Sequence, residues 1–301
     1  MSNKVEVDES RFEELKDQVV VLTGGANGIG ASTVRYLTNA GAFVVFGDYD
    51  QAAGKALVES FTSVSNAPIF VPMDVSKYSD NITLFKTAFE KYSRIDHAVA
   101  NAGILERGAW FDPGLTLESV ETPDTDQVIH INLLGTLYFT RIALVYLRQN
   151  RTPGDDKSIT LISSAAGFRD SPGLYTYQCS KHGILGLLRT TRLLFHDREN
   201  VRINAICPGI VDSQMTTSII DSFCATGQAI NTPAHVARHI VNLQVAGPEM
   251  WGKGIYVEGG RGWEFLSGID ATMETWLGEE PAERLKVHLQ HVKHGAGWQI
   301  K

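Results

Sequence analysis

The chain has 301 residues, 43% hydrophobic and 20% charged, which is the composition of an ordinary globular protein. Its formal net charge of −7 argues against nucleic acid or an anionic membrane as the main partner. The three cysteines have no metal-ligand spacing and fit a reducing compartment, so we expect a cytoplasmic protein without a bound metal. The longest apolar stretch, residues 129–147, is interrupted by His130, Asn132 and Arg141, so no membrane span is expected.

Seven short runs of apolar, largely β-branched residues alternate with helical patterns along the chain. The runs are continuously apolar, as in strands buried on both faces of a parallel sheet. They cover residues 19–22, 43–46, 69–71, 98–100, 159–162, 203–206 and 255–257. The alternation predicts repeated βαβ units, and hence an α/β fold with a doubly wound sheet and helices on both faces.

The chain predicts one domain, 1–301, because no linker rich in proline, glycine or serine divides it. We expect a core of about residues 17–260, a polar N-terminal arm 1–16 and a C-terminal extension 261–301. The extension contains Trp263, Phe265, Trp276 and Trp298, which predicts that it packs on other parts of the protein.

The first predicted strand runs into a glycine-rich segment, Thr23-Gly24-Gly25-Ala26-Asn27-Gly28-Ile29-Gly30, which opens a helix extending towards Asn39. Glycines let the backbone turn tightly and approach a pyrophosphate, and the helix N-terminus offers unpaired N–H groups. The spacing is G-x-x-x-G-x-G, for which a plain glycine-rich turn is the alternative. Its position after the first strand of a βαβ unit favours a dinucleotide phosphate site.

The second predicted strand ends at Asp48, eighteen residues after Gly30. An acidic side chain there accepts hydrogen bonds from a ribose 2′-hydroxyl and repels a 2′-phosphate. Positions 26 and 27, where a cation could bind a 2′-phosphate, are Ala and Asn. No Lys or Arg follows Asp48 at positions 49–51. The pattern predicts NAD rather than NADP, with a turn-capping aspartate as the alternative.

Tyr177 and Lys181 stand one helical turn apart, and Ser164 precedes Tyr177 by thirteen residues. A phenol acts as a base near neutral pH only where a positive charge lowers its pKa. A lysine four residues further along a helix is one way to hold that charge nearby. The pair alone is weak evidence, and its weight comes from the other segments of the chain.

Together these segments resemble the classical short-chain dehydrogenase/reductase family, of the NAD-dependent type, over about residues 17–260. The resemblance is carried, in order, by Thr23-Gly24-x-x-x-Gly28-x-Gly30, Asn101-Ala102-Gly103, Asn132, Ser164, Tyr177-x-x-x-Lys181 and Pro208-Gly209. It implies a single Rossmann-type domain with a seven-stranded parallel sheet, and a nicotinamide dinucleotide as cofactor.

The resemblance also implies four catalytic residues. Tyr177 would be the acid/base on the substrate oxygen, and Lys181 would lower its pKa and hold the nicotinamide ribose hydroxyls. Ser164 would hold the substrate oxygen and stabilise its developing charge. Asn132 would hold a water that links Lys181 to solvent as a proton relay.

The cofactor contacts are implied in the same way. Asp74 would lie beside the adenine with the backbone of Val75, and the small residues 101–103 would let the cofactor lie close. Residues 208–211 would meet the nicotinamide carboxamide, with Ser213 where the family often has threonine. The complete expected set for NAD is Gly24, Asn27, Gly28, Ile29, Gly30, Asp48, Tyr49, Asp74, Val75, Asn101, Ala102, Gly103, Tyr177, Lys181, Pro208, Gly209, Val211 and Ser213.

Two stretches are longer than in compact members of the family, residues 107–114 and the extension, and both are aromatic. We expect the loops 106–114, 165–174 and 212–226 to surround the substrate. The expected contacts are Trp110, Phe168, Tyr175 and Met215. They predict a largely apolar pocket for a hydrophobic, cyclic secondary alcohol, such as a polyketide, terpenoid or steroid-like compound. Extra core or subunit packing is the alternative.

The leading hypothesis is an NAD-dependent dehydrogenase that oxidises a secondary alcohol to a ketone. An NADP-linked carbonyl reductase and a dinucleotide-binding sensor or scaffold without turnover are the alternatives. The expected partners are a small-molecule substrate and further copies of the chain, as a homodimer or homotetramer. The second expectation rests on apolar residues placed away from the catalytic side chains on the helices 126–149 and 177–197, namely Leu134, Leu137, Ile142, Leu185, Leu188 and Leu194.

Overall fold

A computed structural model of the chain describes residues 3–62, 64–217 and 219–291, which form a nine-stranded sheet with helices on both faces. The strands are β1 (Lys4–Val5), β2 (Val19–Thr23), β3 (Phe43–Asp48), β4 (Ile69–Pro72), β5 (His97–Ala100), β6 (Lys157–Ile162), β7 (Val201–Pro208), β8 (Gly254–Glu258) and β9 (Arg261–Glu264). The helices are α1 (Gly28–Asn39), α2 (Gln51–Glu59), α3 (Tyr78–Tyr92), α4 (Gly135–Leu147), α5 (Tyr175–Glu199), α6 (Ile220–Ala225), α7 (Pro233–Val245), α8 (Leu266–Ala271), α9 (Met273–Leu277) and α10 (Glu279–His291).

Strands β2 to β8 are the seven predicted parallel strands, and the fold class is confirmed. They lie in the order β4-β3-β2-β5-β6-β7-β8. Phe85 of α3 and Phe139 of α4 are buried on one face of the sheet, and Val34 and Leu37 of α1 on the other. The direction of winding reverses between β2 and β5, and ligands of such sheets bind in the crevice at the carboxyl ends of these strands.

The sheet is larger than predicted, because two antiparallel strands extend it beyond β8. Strand β9 pairs with β8, and β1 pairs with β9. The turn between β8 and β9 consists of Gly259 and Gly260, with φ of 54° and 76°. A two-residue hairpin turn of this kind requires positive φ, and a Gly-Gly pair is a sequence signal for it. The core therefore extends beyond the predicted boundary at residue 260.

The N-terminal segment is also part of the folded core rather than a polar arm. A 3₁₀-helix, Glu9–Leu15, follows β1 and buries Phe12 and Leu15. The backbone N–H of Asp8 donates to Asn242 Oδ1 of α7 at 3.1 Å. Residues 8–15 thus pack on the core that was expected to begin at about residue 17.

The C-terminal extension packs on the body of the protein through its first residues. The ring of Phe265 lies 4.3 Å from that of Phe168, and Leu266 is buried. Trp276 of α9 remains 59% exposed. Residues 292–301, which include Trp298, lie outside the described residues. The predicted packing of the extension is thus observed for Phe265 and not for Trp276.

The long apolar stretch noted in the sequence is a π-helical turn, Ile129–Leu134, that continues directly into α4. By length and composition alone it is the one candidate for a membrane span among the described residues. Its Phe139, Ile142 and Leu147 are buried against the sheet, which is the position of a core helix.

Fewer of the apolar residues predicted to form an oligomer surface on α4 and α5 are exposed than expected. Ile142, Leu185 and Leu188 are buried in the core of the chain itself, so the prediction was wrong for these residues. Leu137 and Leu194 are exposed by 39% and 43%. Self-association through α4 and α5 stays a prediction that depends on this smaller set.

A buried ion pair lies at the amino ends of β5 and β6, opposite the crevice. Lys157 Nζ is 2.6 Å from Asp96 Oδ1, and Asp96 Oδ2 accepts the N–H of Val19 at 2.8 Å. Burial raises the pKa of the Asp96 carboxyl. Hydrogen bonds from Arg94, Lys157 and Val19 outweigh burial and hold that pKa below its usual value.

We expect Asp96→Asn to lower the free energy of unfolding at neutral pH by about 3 kcal/mol, because it leaves the buried Lys157 charged with only the longer ionic contact to Asp155, at 3.5 Å. The folded-state pKa of Asp96 is depressed, so its contribution is complete above the unfolded-state pKa and is lost as the pH falls through the folded-state value. The difference between wild type and variant should therefore shrink as the pH falls below about 4. Urea titrations at several pH values measure this, with Glu14→Gln on the exposed Arg11–Glu14 pair as the control. An equal loss in the free energy of unfolding for Asp96→Asn and Glu14→Gln would contradict this expectation.

Candidate active site

A cleft of about 1170 Å³ opens at the carboxyl ends of the parallel strands. The glycine-rich segment between β2 and α1 forms one wall. The hydroxyl of Thr23 accepts the N–H groups of Asn101 and Ala102 at 3.2 and 3.3 Å, and Asn101 Nδ2 donates to the Gly24 carbonyl at 2.8 Å. These bonds join the glycine-rich loop to the end of β5 across the point where the winding reverses.

Three glycines of this loop, Gly24, Gly25 and Gly30, have no room for a side chain. A Cβ at Gly30 would lie within bonding distance of the Gly24 carbonyl oxygen and 2.7 Å from Asn101 Nδ2. A Cβ at Gly24, where φ is 68°, would lie 2.7 Å from Ala102 Cα. By contrast, Gly28 at the first turn of α1 faces open space. The loop therefore has the tightness and the open helix N-terminus that a pyrophosphate requires.

Asp48 ends β3 at the rim of the cleft. Its Oδ2 accepts the N–H of Ala26 at 2.9 Å, and its Oδ1 accepts the N–H of Asp50 at 2.9 Å. The second bond is the turn-capping role held open in the sequence analysis. Each carboxylate oxygen has a further lone pair, so the same group can also accept hydrogen bonds from a ribose.

The structure brings nearly all of the expected cofactor residues to the cleft. Gly30 is the exception, because it is buried where α1 meets the Gly24 carbonyl. The residues that line the cleft are Gly24, Asn27, Gly28, Ile29, Asp48, Tyr49, Asp74, Val75, Asn101, Ala102, Gly103, Tyr177, Lys181, Pro208, Gly209, Val211 and Ser213.

Ser164, Tyr177 and Lys181 lie together in the same cleft. Ser164 follows β6, and Tyr177 and Lys181 lie in the first turns of α5. The Lys181 ammonium lies 5.5 Å from the centre of the Tyr177 ring and donates to the Ile162 carbonyl at 3.0 Å. The neighbouring Ser163 is buried and donates to the Lys181 carbonyl, which leaves Ser164 as the serine beside Tyr177.

Burial controls the ionisation of the two central groups. It raises the pKa of the Tyr177 phenol, which the neighbouring Ser164 hydroxyl lowers only in part. Burial also lowers the pKa of Lys181, to about 8. With the protein groups alone, the pKa of Tyr177 is thus above its usual value, and the expected lowering by Lys181 is not seen.

Asn132 lies in the π-helical turn before α4 and is fully buried. Its Oδ1 accepts the Ile104 N–H at 2.8 Å, and its Nδ2 donates to the Ile104 carbonyl at 2.9 Å and to Ser180 Oγ at 3.2 Å. A Cβ added at Gly103 would lie 3.3 Å from Asn132 Oδ1 and 3.5 Å from Lys181 Nζ, so both groups are close to this glycine. The side chain thus ties the segment after β5 to α5, and its expected role in holding a water stays a prediction.

Of the four expected substrate contacts, only Met215 lines the cleft. Phe168 packs between Phe265 and Tyr256 in the core. Tyr175 is 41% exposed and contacts Phe111 with its ring, while Trp110 donates to the Thr125 carbonyl. The side chains of Trp110, Phe168 and Tyr175 thus contact other parts of the fold and do not line the cleft, and their contact with a substrate stays a prediction.

The three predicted loops do contribute to the substrate end of the cleft, together with residues that the sequence analysis missed. Tyr256 of β8 lies there, with its hydroxyl donating to Glu258 Oε1 at 3.1 Å. No local signal distinguishes Tyr256 from a buried strand residue. Of the other lining residues, Glu106, Arg107, Gln214, Ile219 and Phe223 belong to the predicted loops, and the sequence analysis missed Ile104, Leu105, Gln127, His130, Ile131 and Gln228.

Known proteins resemble this chain in sequence and in fold. Residues 18–222 match the short chain dehydrogenase family. The short-chain dehydrogenase/reductase ascJ of Acremonium egyptiacum is 31% identical over 85% of this chain and 83% of its own length. The L-fucose dehydrogenase of Mus musculus is 33% identical over 64% of each chain. The crystal structure of a 3-ketoacyl-(acyl-carrier-protein) reductase from Brucella melitensis, complexed with NADH, superposes with a TM-score of 0.71 at 22% identity, covering 82% of this chain and 98% of that one.

The fold, the glycine-rich loop and the Ser–Tyr–Lys cluster define a dinucleotide-dependent oxidoreductase. The chain belongs to the short-chain dehydrogenase family. Members of this family bind a nicotinamide dinucleotide, and the tight loop at Gly24 and Gly30 fits such a group.

Proposed function

We propose that the protein interconverts a secondary alcohol and a ketone with NAD as its cofactor. The observation that carries the proposal is the convergence of Ser164, Tyr177 and Lys181 in one cleft with the glycine-rich loop. A sensor or scaffold would need the loop but would have no need of the three polar side chains. A bound oxidised nicotinamide would supply the hydride acceptor and a positive charge that favours a phenolate.

In this mechanism Tyr177 takes the hydroxyl proton of the alcohol, and Ser164 donates a hydrogen bond to the same oxygen. Lys181 contributes positive charge near the Tyr177 ring and can also donate to ribose hydroxyls. Since its pKa is lowered to about 8, Lys181 keeps most of its charge at neutral pH. Asn132 holds the backbone around the site through Ile104 and Ser180.

The preference for NAD over NADP is proposed from the charges at the adenosine end of the cleft. Asp48 and Asp74 line this end. The cationic side chains that line the cleft, among the described residues, are Arg107, Arg169 and Lys181, which belong to segments after β5 and β6 and to α5. Lys77 Nζ lies 3.8 Å from Asp74 Oδ2 but Lys77 does not line the cleft, so a 2′-phosphate beside Asp48 would meet mainly negative charge.

We expect Asp48→Asn to reduce the preference for NADH over NADPH by about tenfold or more, since it removes the charge but keeps an acceptor oxygen for the loop. The ratio of the two dissociation constants is measured by fluorescence titration. Asp221→Asn is the control, because Asp221 carries the same charge on α6 and does not line the cleft. Tighter binding of NADPH than NADH by the wild-type protein would instead support an NADP-linked carbonyl reductase.

For the substrate we propose a hydrophobic, cyclic secondary alcohol. The supporting residues are the apolar side chains at the substrate end of the cleft, which include Leu105, Ile131, Met215, Ile219 and Phe223. The relative ascJ matches most of this chain. Its name identifies a dehydrogenase/reductase and states no substrate.

A polar substrate such as a sugar is the second candidate, because polar side chains also line this end of the cleft. Gln127, His130, Arg169 and Gln214 are among them. The relative from Mus musculus is named as acting on L-fucose. These residues supply hydrogen-bonding groups that a purely hydrophobic alcohol would leave unused.

The experiment is a screen of cyclic secondary alcohols and of aldoses with NAD, followed by the absorbance of NADH. Turnover of the alcohols with little turnover of the sugars supports the first candidate, and the reverse result supports the second. Cofactor binding without turnover of either class would favour the non-catalytic alternative.

We also propose a cytoplasmic location, for which the three free cysteines are the support.

A further inference from the structure

The segment that follows β5 contacts the first turn of the catalytic helix α5. Glu106 Oε2 accepts the backbone N–H of Tyr177 at 2.8 Å, and Oε1 accepts the backbone N–H of Thr176 at 3.2 Å. The Thr176 hydroxyl donates to Oε1 as well. Leu174, the residue before the helix, supplies no side-chain cap. The cap of α5 is thus a carboxylate about 70 residues away in the sequence.

This contact is favourable for two physical reasons. The first N–H groups of a helix have no acceptor within the helix, and both oxygens of Glu106 satisfy such groups. The positive end of the helix dipole also favours a negative charge at this position. The carboxylate is partly buried at the edge of the cleft, so water competes less for these hydrogen bonds than at an open surface.

We propose that Glu106 is a positioning residue for Tyr177. Its carboxylate holds the backbone N–H of Tyr177 and so keeps this residue at the cleft. The proposal rests on the proposed function, in which Tyr177 is the acid/base. Glu106 acts through the backbone of Tyr177 and needs no contact with the reacting atoms.

A second connection holds the same residue from its other side. Ser180 Oγ donates to the Tyr177 carbonyl at 2.7 Å and accepts from Asn132, whose carboxamide is paired with the Ile104 backbone. Both backbone polar groups of Tyr177 therefore lead back to residues 104–106. This segment comes directly after Gly103, which lines the cleft. A short series of hydrogen bonds therefore links the wall of the cleft to the backbone of Tyr177.

The substitution that isolates this role is Glu106→Gln. A carboxamide has one acceptor oxygen, and its NH₂ group would face a backbone N–H, so one helix N–H loses its partner. Because displacement of a reacting group by about 1 Å can cost on the order of 100-fold in rate, we expect kcat to fall by about tenfold or more. The dissociation constant of NADH should stay nearly unchanged, since the cleft residues that would hold it remain.

The matched control is Glu118→Gln, which removes the same charge from an exposed position of the same loop. A second variant, Thr176→Val, removes only the hydroxyl donor to Glu106 and should give a smaller loss of kcat in the same direction. It also keeps the proposal testable if Glu106→Gln fails to fold. Thermal melts of all variants report whether the fold is retained.

A readout without substrate separates this proposal from the proposed function. In protein labelled with ¹³Cζ-tyrosine, the Tyr177 signal is identified by its loss in Tyr177→Phe. Glu106→Gln should shift this signal in the presence of NADH, and Glu118→Gln should leave it in place. If the wild-type protein oxidises no alcohol, the proposed function fails, while this signal still reports on the contact.

A kcat of Glu106→Gln within about twofold of wild type would overturn the proposal, given the losses expected from misplacement. An unmoved Tyr177 signal, with kcat and NADH affinity lost in equal measure, would also overturn it, because that result describes a purely structural role. A loss of kcat at nearly constant NADH affinity, together with a shifted Tyr177 signal, supports it.

Discussion

Replacement of Tyr177 by Phe is expected to reduce kcat by about 10²- to 10⁴-fold, the range that general acid–base catalysis contributes. The ring would keep its packing beside Lys181, 5.5 Å from the ammonium to the ring centre, so the cleft should keep its shape. Only the hydroxyl that exchanges the proton is removed. NADH binding, followed by fluorescence, should be nearly unchanged.

Tyr175→Phe is the matched control for this result. Tyr175 lies two residues earlier on the same helix, is 41% exposed and contacts Phe111 outside the cleft. Its hydroxyl should be dispensable, and kcat should stay close to that of the wild type. Substantial residual activity in Tyr177→Phe, or an equal loss in Tyr175→Phe, would contradict the assignment of the acid/base.

The second large effect is expected from Gly30→Ala, which should abolish measurable NADH binding. A Cβ at this position would overlap the Gly24 carbonyl and come within 2.7 Å of Asn101 Nδ2. The loop must move away from the end of β5 to accept it, and the loop then loses the backbone positions that a pyrophosphate needs. Fluorescence titration with NADH measures the loss.

Gly268→Ala controls for the general cost of adding a methyl group. Gly268 lies in α8, and a Cβ there meets no atom within 4 Å. This variant should bind NADH as the wild type does, and its thermal melt should be similar or slightly higher, since alanine favours a helix. If Gly30→Ala bound NADH with wild-type affinity, this loop would not be the phosphate site.

The parallel strands were predictable because each is a local pattern. A strand buried on both faces is mostly apolar, and the seven runs met this condition with Thr160 and Asn204 as the polar exceptions. The β8–β9 hairpin was missed although Gly259-Gly260 is a hairpin signal. Strand β1 has only two residues, and its pairing with β9 depends on where the C-terminal segment returns.

The substrate residues were the least predictable part of the site. An aromatic side chain in a loop can face the cleft, the core or solvent, and the sequence carries no signal that separates these outcomes. Phe168 packs on Phe265 from the extension, and Tyr175 packs on Phe111. Both partners are distant in sequence, so only the assembled fold decides where these rings lie.

By itself the sequence determined the family, the parallel sheet and the candidate catalytic residues, because glycine spacing, apolar runs and helical intervals constrain the backbone over short distances. Tertiary structure alone decided the direction in which the pKa of Tyr177 is shifted, since burial raises it more than the Ser164 hydroxyl lowers it. It also decided that Glu106 caps the helix of Tyr177. Both outcomes depend on groups that the fold brings together from distant parts of the chain, and electrostatic and hydrogen-bonding energies depend on distance in space.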